Sequence, residues 1–249
     1  MMAAQSLLIT RPAGKADQLL ASLDEMGLDY VYQPLIATQT VAIKPKELQW
    51  LLEADQLIFV SVSAVTSLQQ QLDASQLKAP LLAVGETTAS ALKQWTGREV
   101  RFPMDQRSEG VLAMSSMQLV DGQHIAIVRG QSGRELMKQS LQKRGAKVRY
   151  VQSYCRVPIA LDGASLLQQW QDVVSCILVT SDEIMQQLFT LLPAHAHAWL
   201  RQRHWIVVSP RMHDSALALG IPVSNIILAD NANDSALMAA ICHYKRDYL

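Results

Sequence analysis

The stretch IAIVRGQSGRELMKQSLQKRGAKVRYVQ, residues 125–152, has a counterpart near the start of the chain, LLITRPAGKADQLLASLDEMGLDYVYQ, residues 7–33. In each, an apolar run ends at an arginine, Arg129 or Arg11, and a glycine-containing turn follows. Then come a helical pattern holding Ser140-Leu141 or Ser22-Leu23, a glycine, Gly145 or Gly27, and a second β-rich run with Tyr150 or Tyr32. Ala16, Leu19, Leu20 and Leu23 fall at i, i+3, i+4 and i+7, the spacing of one buried helical face, and Gly27 supplies its stop. The unit is therefore strand, helix, strand. The offset between the copies, roughly 118 to 126 residues, is that of a whole domain rather than of a solenoid repeat.

The correspondence continues outward. LIFVSVSAV, from Leu57, answers CILVTSDEI, from Cys176, and LLAVGETTASAL, from Leu81, answers WIVVSPRMHDSAL, from Trp205. Further short apolar runs, EVRF and NIILA, complete two sets of five strands, with helical patterns between them such as Ile184, Met185, Leu188, Leu191 and Leu192 before Pro193. LIFVSV is read as strand throughout. Strands alternating with helices imply an α/β class with parallel sheets. The repeat alone divides the chain near residue 118, but it leaves open whether each half keeps its own strands. Pro34 and the segment Gln152 to Pro158 are the natural extended connections, because proline disfavours helix.

Composition narrows the function. With 249 residues, 49% hydrophobic and 18% charged, the chain should fold fully. Twenty-two basic residues balance twenty-two acidic ones, so no global positive field draws nucleic acid or acidic membrane, and any anionic ligand must be held locally. The opening MMAAQSLLITRP has no basic segment ahead of a long apolar run, and no stretch reaches the length of a membrane span, so a cytoplasmic location is expected. Cys155, Cys176 and Cys242 lack CxxC spacing and are read as reduced thiols acting as small core hydrophobes.

Ligands of open α/β sheets gather at the carboxyl ends of the strands, where helices begin. The candidates there are Thr10, Arg11, Ser61, Ser63, Gly85, Thr87, Thr88, Arg129, Gly130, Gly133, Arg134, Thr180, Ser181 and Ser209. Taken singly, each hydroxyl is explained as a helix cap. Together they describe helix starts whose free N–H groups and dipoles would hold a polyanion. Arg129 and Arg134 flanking Gly130 and Gly133 form a looser anion-binding turn.

Other chemistries find no support. RGQSGRE lacks both the GxGxxG spacing and the Lys-Ser/Thr pair of nucleotide sites; His195 and His197 stand two apart without HExxH; no GxSxG elbow appears. No metal site is expected.

The opening ITRP, the RGxxGRExLxxxLxxRGAxV stretch from Arg129 to Val148, Tyr154, the VTSxE segment around Thr180-Ser181 and the closing DNANDSALMAAI together resemble the bacterial uroporphyrinogen-III synthase family, in order over nearly the whole chain. The resemblance implies two flavodoxin-like domains, strand order 2-1-3-4-5, joined by a two-stranded antiparallel connector with the active site in the cleft between the domains. It places residues 1–34 with 158–249 in one discontinuous domain, 39–151 in an inserted one, and connectors at 35–38 and 152–157. The first βαβ unit of each half is thereby exchanged.

The implied reaction takes hydroxymethylbilane, an octacarboxylate linear tetrapyrrole, and loses its terminal hydroxyl. It closes the macrocycle with ring D inverted through a spiro intermediate, on the route to haem. Tyr154 matches the family's tyrosine that hydrogen-bonds the departing hydroxyl. The resemblance implies a cofactor-free monomeric lyase with a small-molecule substrate.

The chain departs from the family pattern where Val60-Ser61 replaces a frequent Thr-Ser pair, where Ser63 replaces an asparagine, and where Ser209-Pro210-Arg211-Met212 replaces a Gly-x-Thr-Thr turn. Met212 offers no hydroxyl. Two other twin α/β architectures compete. One is a ligand-binding or regulatory module of periplasmic-binding-protein type, weakened by the missing export signal. The other is a nucleotide-sugar-dependent transferase, weakened by the missing phosphate fingerprint.

Overall fold

A computed structural model describes residues 6–248; Met1–Gln5, the first part of the N-terminus read above as leaderless, and Leu249 lie outside the described residues. The chain opens with β1 (Ser6–Ile9), α1 (Asp17–Glu25), β2 (Tyr30–Tyr32) and β3 (Ile36–Thr40). There follow α2 (Pro45–Leu52), β4 (Gln56–Phe59), α3 (Val62–Gln69), β5 (Leu81–Ala83), α4 (Glu86–Thr96), β6 (Val100–Arg101) and α5 (Ser108–Ala113). The second repeat begins with β7 (His124–Gly130), α6 (Leu136–Lys143) and β8 (Lys147–Pro158). The remainder is α7 (Gly163–Trp170), β9 (Val174–Leu178), α8 (Asp182–Leu191), α9 (His197–Gln202), β10 (His204–Val207), α10 (Pro210–Ala218), β11 (Ile226–Leu228) and α11 (Asp234–Tyr248).

Two compact units result. One runs to Ala37 and resumes at Pro158; the other is Thr38–Val157. The first holds a sheet of order β11-β10-β9-β1-β2, and the second a sheet of order β3-β8-β7-β4-β5-β6. With β7 and β8 counted as the first two strands of their set and β4, β5 and β6 as the rest, both sheets read 2-1-3-4-5, all parallel. Strand β3 adds itself antiparallel to β8: Val41 N–H donates to Ser153 C=O near one end and Ile159 N–H to Leu35 C=O near the other.

Parallel strands covered by helices on both faces should be apolar throughout, and β1 and β4 are buried along their whole length. The pleat then sorts alternate side chains into two cores per sheet. In the first unit Leu8, Ile177, Trp205 and Val207 join one core while Leu7, Ile9, Leu178 and Ile206 join the other. In the second, Leu57, Phe59 and Val128 oppose Ile58, Ile125 and Ile127. The helix expected around Ala16, Leu19 and Leu23 buries those three, and Gly27 ends it at φ 60°.

Two expectations change. LIFVSV is strand only to Phe59, because Ser61, extended at φ −163°, turns the chain and caps α3. The cysteines are not uniformly core: Cys176 is buried, Cys155 half-buried and Cys242 exposed on α11, whose amphipathic pattern leaves that position on the solvent side.

Candidate functional site

In the second unit the decisive feature is a slip of register. Arg129 pairs with Gln152, yet the next residue, Gly130, pairs with Tyr154, so β8 carries one extra residue, Ser153. Such a bulge re-aims a side chain. It lays the Tyr154 ring across Gly130, where a Cβ would stand 2.7 Å from Cε2, and Gln131 N–H donates to Tyr154 C=O at 3.0 Å. The ring is 8% exposed and packs with Phe59, Val128 and Val151. Its hydroxyl lies 3.1 Å from Ser61 Oγ, and either can donate. Ser61 Oγ also accepts the Ala64 N–H at 3.2 Å. Thus Tyr154, Ser61 and Gly130, far apart in sequence, meet at one sheet edge. Ser63, half-buried, sits in the first turn of α3.

Arg129 and Arg134 are not the free cations the sequence suggested. Arg129 is 5% exposed, lies 4.3 Å over the Tyr150 ring, and donates through Nη1 to Arg134 C=O (3.1 Å) and Glu135 Oε1 (3.3 Å). Burial pushes the Tyr150 phenol up. Gly133 has φ 142°, and a Cβ there would stand 2.3 Å from Arg129 Nη2. Arg134 grips Glu109 with both guanidinium ends, at 2.6 and 3.2 Å, and holds that carboxyl below its usual range. The turn also is not a helix start, since α6 begins only at Leu136.

Gly85 does open α4, but the first N–H, on Glu86, already donates to Gln106 Oε1 at 3.0 Å. Gln106 had no signal in the sequence beyond its polar surroundings after β6. Thr87 is exposed, whereas Thr88 is buried.

The first unit presents a similar edge. Ser181 caps α8 by accepting from Ile184 N–H (3.2 Å), and Ser209 caps α10 by accepting from Met212 N–H (3.3 Å), as expected of them. Thr180, just before Ser181, is half-buried. Thr10 is corrected: fully buried, it donates to Leu178 C=O at 2.7 Å and so ties β1 to β9, with no hydroxyl turned to a ligand. Arg11, 13% exposed, pairs with Asp234 at the head of α11 and reaches Ala232 C=O at 3.4 Å. Asn233 Oδ1 accepts the Ala236 N–H at 2.8 Å, so the closing DNAND run is the cap of α11. Arg211 Nη2 meets Asp182 Oδ2 at 3.0 Å. Met212 is buried like Thr88 at the matching place of the repeat; the position faces the core, which accounts for an apolar residue there.

A family model described as uroporphyrinogen-III synthase HemD matches residues 17–239. The chain belongs to the uroporphyrinogen-III synthase family. Uroporphyrinogen-III synthases are hydro-lyases of tetrapyrrole biosynthesis, and this chain has that function. It is 36% identical over 246 residues to the uroporphyrinogen-III synthase of Escherichia coli, covering 95% of this chain and 99% of that one. To the enzyme of Salmonella typhimurium it is 34% identical over 246 residues, with the same coverage. Solved structures share the fold: uroporphyrinogen-III synthetase from Helicobacter pylori superposes with a TM-score of 0.65 at 16% identity, covering 96% of this chain and 99% of that one. A mutant uroporphyrinogen III synthase from Thermus thermophilus gives 0.58 at 18% identity, covering 98% and 100%. Among the described residues no helix is long and apolar enough to cross a membrane.

Proposed function

We propose that this uroporphyrinogen-III synthase cyclises hydroxymethylbilane with inversion of ring D, and that Tyr154 delivers the proton with which the terminal hydroxyl departs. The observation that carries the reading is the 3.1 Å contact between the Tyr154 hydroxyl and Ser61 Oγ at the carboxyl end of the second sheet. A phenol retains its proton at neutral pH and can donate it. When the phenol turns its proton to the substrate, Ser61 donates to the phenol oxygen and stabilises the phenolate as it forms.

The C–O bond breaks, water leaves, and an azafulvenium cation remains. The cation attacks the substituted carbon of ring D; the spiro intermediate fragments and recloses on the other carbon. Loss of the last pyrrole proton restores the phenol, so atoms and charge balance with neither oxidant nor reductant. Carboxylates of the substrate are met by helix starts such as the one capped by Ser61, which help to hold the bilane bent so that the difficult closure outruns the simple one. The enzyme acts as a cytoplasmic monomer without metal or cofactor. Purified protein given fresh hydroxymethylbilane and no additive should yield the type III isomer by isomer-resolving chromatography, and type I alone would refute the assignment.

A further inference from the structure

We infer that Arg129 is a positioning residue, which acts by fastening the 130–135 turn so that Tyr154 is held against Ser61, and that it does not itself bind a substrate carboxylate. This rests on the reading of Tyr154 as the proton donor. A guanidinium offers five N–H donors in a rigid plane, and a buried one must spend them inside the protein. Nη1 of Arg129 donates to the turn that follows it, to Arg134 C=O and to Glu135 Oε1.

Residues 131–135 are all exposed, so no apolar side chain anchors them. The buried guanidinium beneath Gly133, set over the Tyr150 ring, ties them to the core, beside the exposed pair of Arg134 with Glu109. The same turn leads directly from the two residues that clamp Tyr154: Gly130 against its ring and Gln131 on its carbonyl. Unfastening the turn therefore frees the clamp. The side chain is only 7% accessible and already shares a carboxylate, which leaves it ill placed to take a second from a ligand.

Arg129→Met keeps an unbranched apolar arm over Tyr150 and removes the hydrogen bonds. In the full chain its kcat should fall about tenfold, a part of the roughly 10²- to 10⁴-fold that acid assistance contributes. Its KM should stay within about twofold. In a Tyr154→Phe background the same substitution should add almost nothing, because both changes disable one device. Gly133→Ala, whose new Cβ would press on the guanidinium from the other side, should reproduce this pattern and serves if Arg129→Met does not fold. The inference is overturned if KM rises while kcat holds, if the effects of Arg129→Met and Tyr154→Phe multiply, or if Tyr154→Phe leaves turnover unchanged. Unchanged turnover of Tyr154→Phe sinks the proton-donor reading and this inference with it, whereas a slowed Tyr154→Phe combined with either of the other two outcomes sinks this inference alone.

Discussion

Replacing Gly130 by alanine isolates the geometry on which the chemistry rests. The backbone there is not in the left-handed region, so alanine adds no conformational strain and the test is purely steric. The new Cβ would stand 2.7 Å from Tyr154 Cε2, 2.9 Å from Cζ and 3.2 Å from Cδ2. Carbon atoms in contact sit at about 3.5–4.0 Å, so the ring must retreat by roughly 0.8 Å or more. It cannot do so freely, being packed with Phe59, Val128 and Val151. Overpacking of this kind costs about 1–3 kcal/mol. The melting temperature should drop by roughly 2–4 °C for each of those kilocalories in a chain of this size. The retreat would also stretch the 3.1 Å contact with Ser61 beyond hydrogen-bond length. A displacement near 1 Å in a reacting group can slow turnover about 100-fold. We expect kcat for type III product to fall by about 10- to 100-fold with KM little moved, measured by stopped assay and isomer-resolving chromatography. A folded Gly130→Ala protein that turns over within about twofold of the parent would refute the argument.

Three further outcomes are expected. Tyr154→Phe should slow turnover by about one to two orders of magnitude while remaining folded by circular dichroism; unchanged turnover would leave Tyr154 a packing residue. His204 packs at a tilt against Tyr248 and Tyr244 of α11, at 4.2 and 5.2 Å between centroids, and burial first, then Arg203, pushes its imidazole below the ordinary value. The unfolded chain therefore takes up the proton more readily, so the contribution of His204 is whole above about pH 6.5 and is lost as pH falls below that. The denaturant midpoint of the parent should accordingly fall more steeply between about pH 7.5 and about pH 5.5 than that of His204→Gln, and equal slopes would sink the idea. In thiol titration of the native protein Cys242 should react first and Cys155 more slowly; Cys176, whose thiol burial pushes far up, should react only in denaturant, and its prompt labelling in the native state would contradict the packing.

Much of the fold was legible because apolar runs and helical spacing are local properties. Of the eleven strands among the described residues, ten announce themselves as β-rich runs. The exception, β3, reads IATQT and buries only Ile36, and its strand character comes from pairing with β8 rather than from its own pattern. Ser61, Ser181 and Ser209 could be found because a cap is defined by the few residues that follow it. Thr10 was misread because nothing in its neighbours tells that Leu178 C=O would claim its hydroxyl. Gln106 over the start of α4, and the pairing of Arg134 with Glu109, depend likewise on side chains some 20 and 25 positions away.

From the residues alone came the α/β class, the duplicated strand-helix-strand unit and the strand edge at which chemistry should be sought. Each follows from periodicity or from turn chemistry within a short window. Only the tertiary structure decided that β7 and β8 lie beside β4, while β1 and β2 lie beside β9. It alone set Tyr154 on Ser61, 93 positions away, through a single extra residue in β8. The partner of a strand, a phenol or a guanidinium is chosen by the crossover that brings it near, and no local pattern encodes that choice.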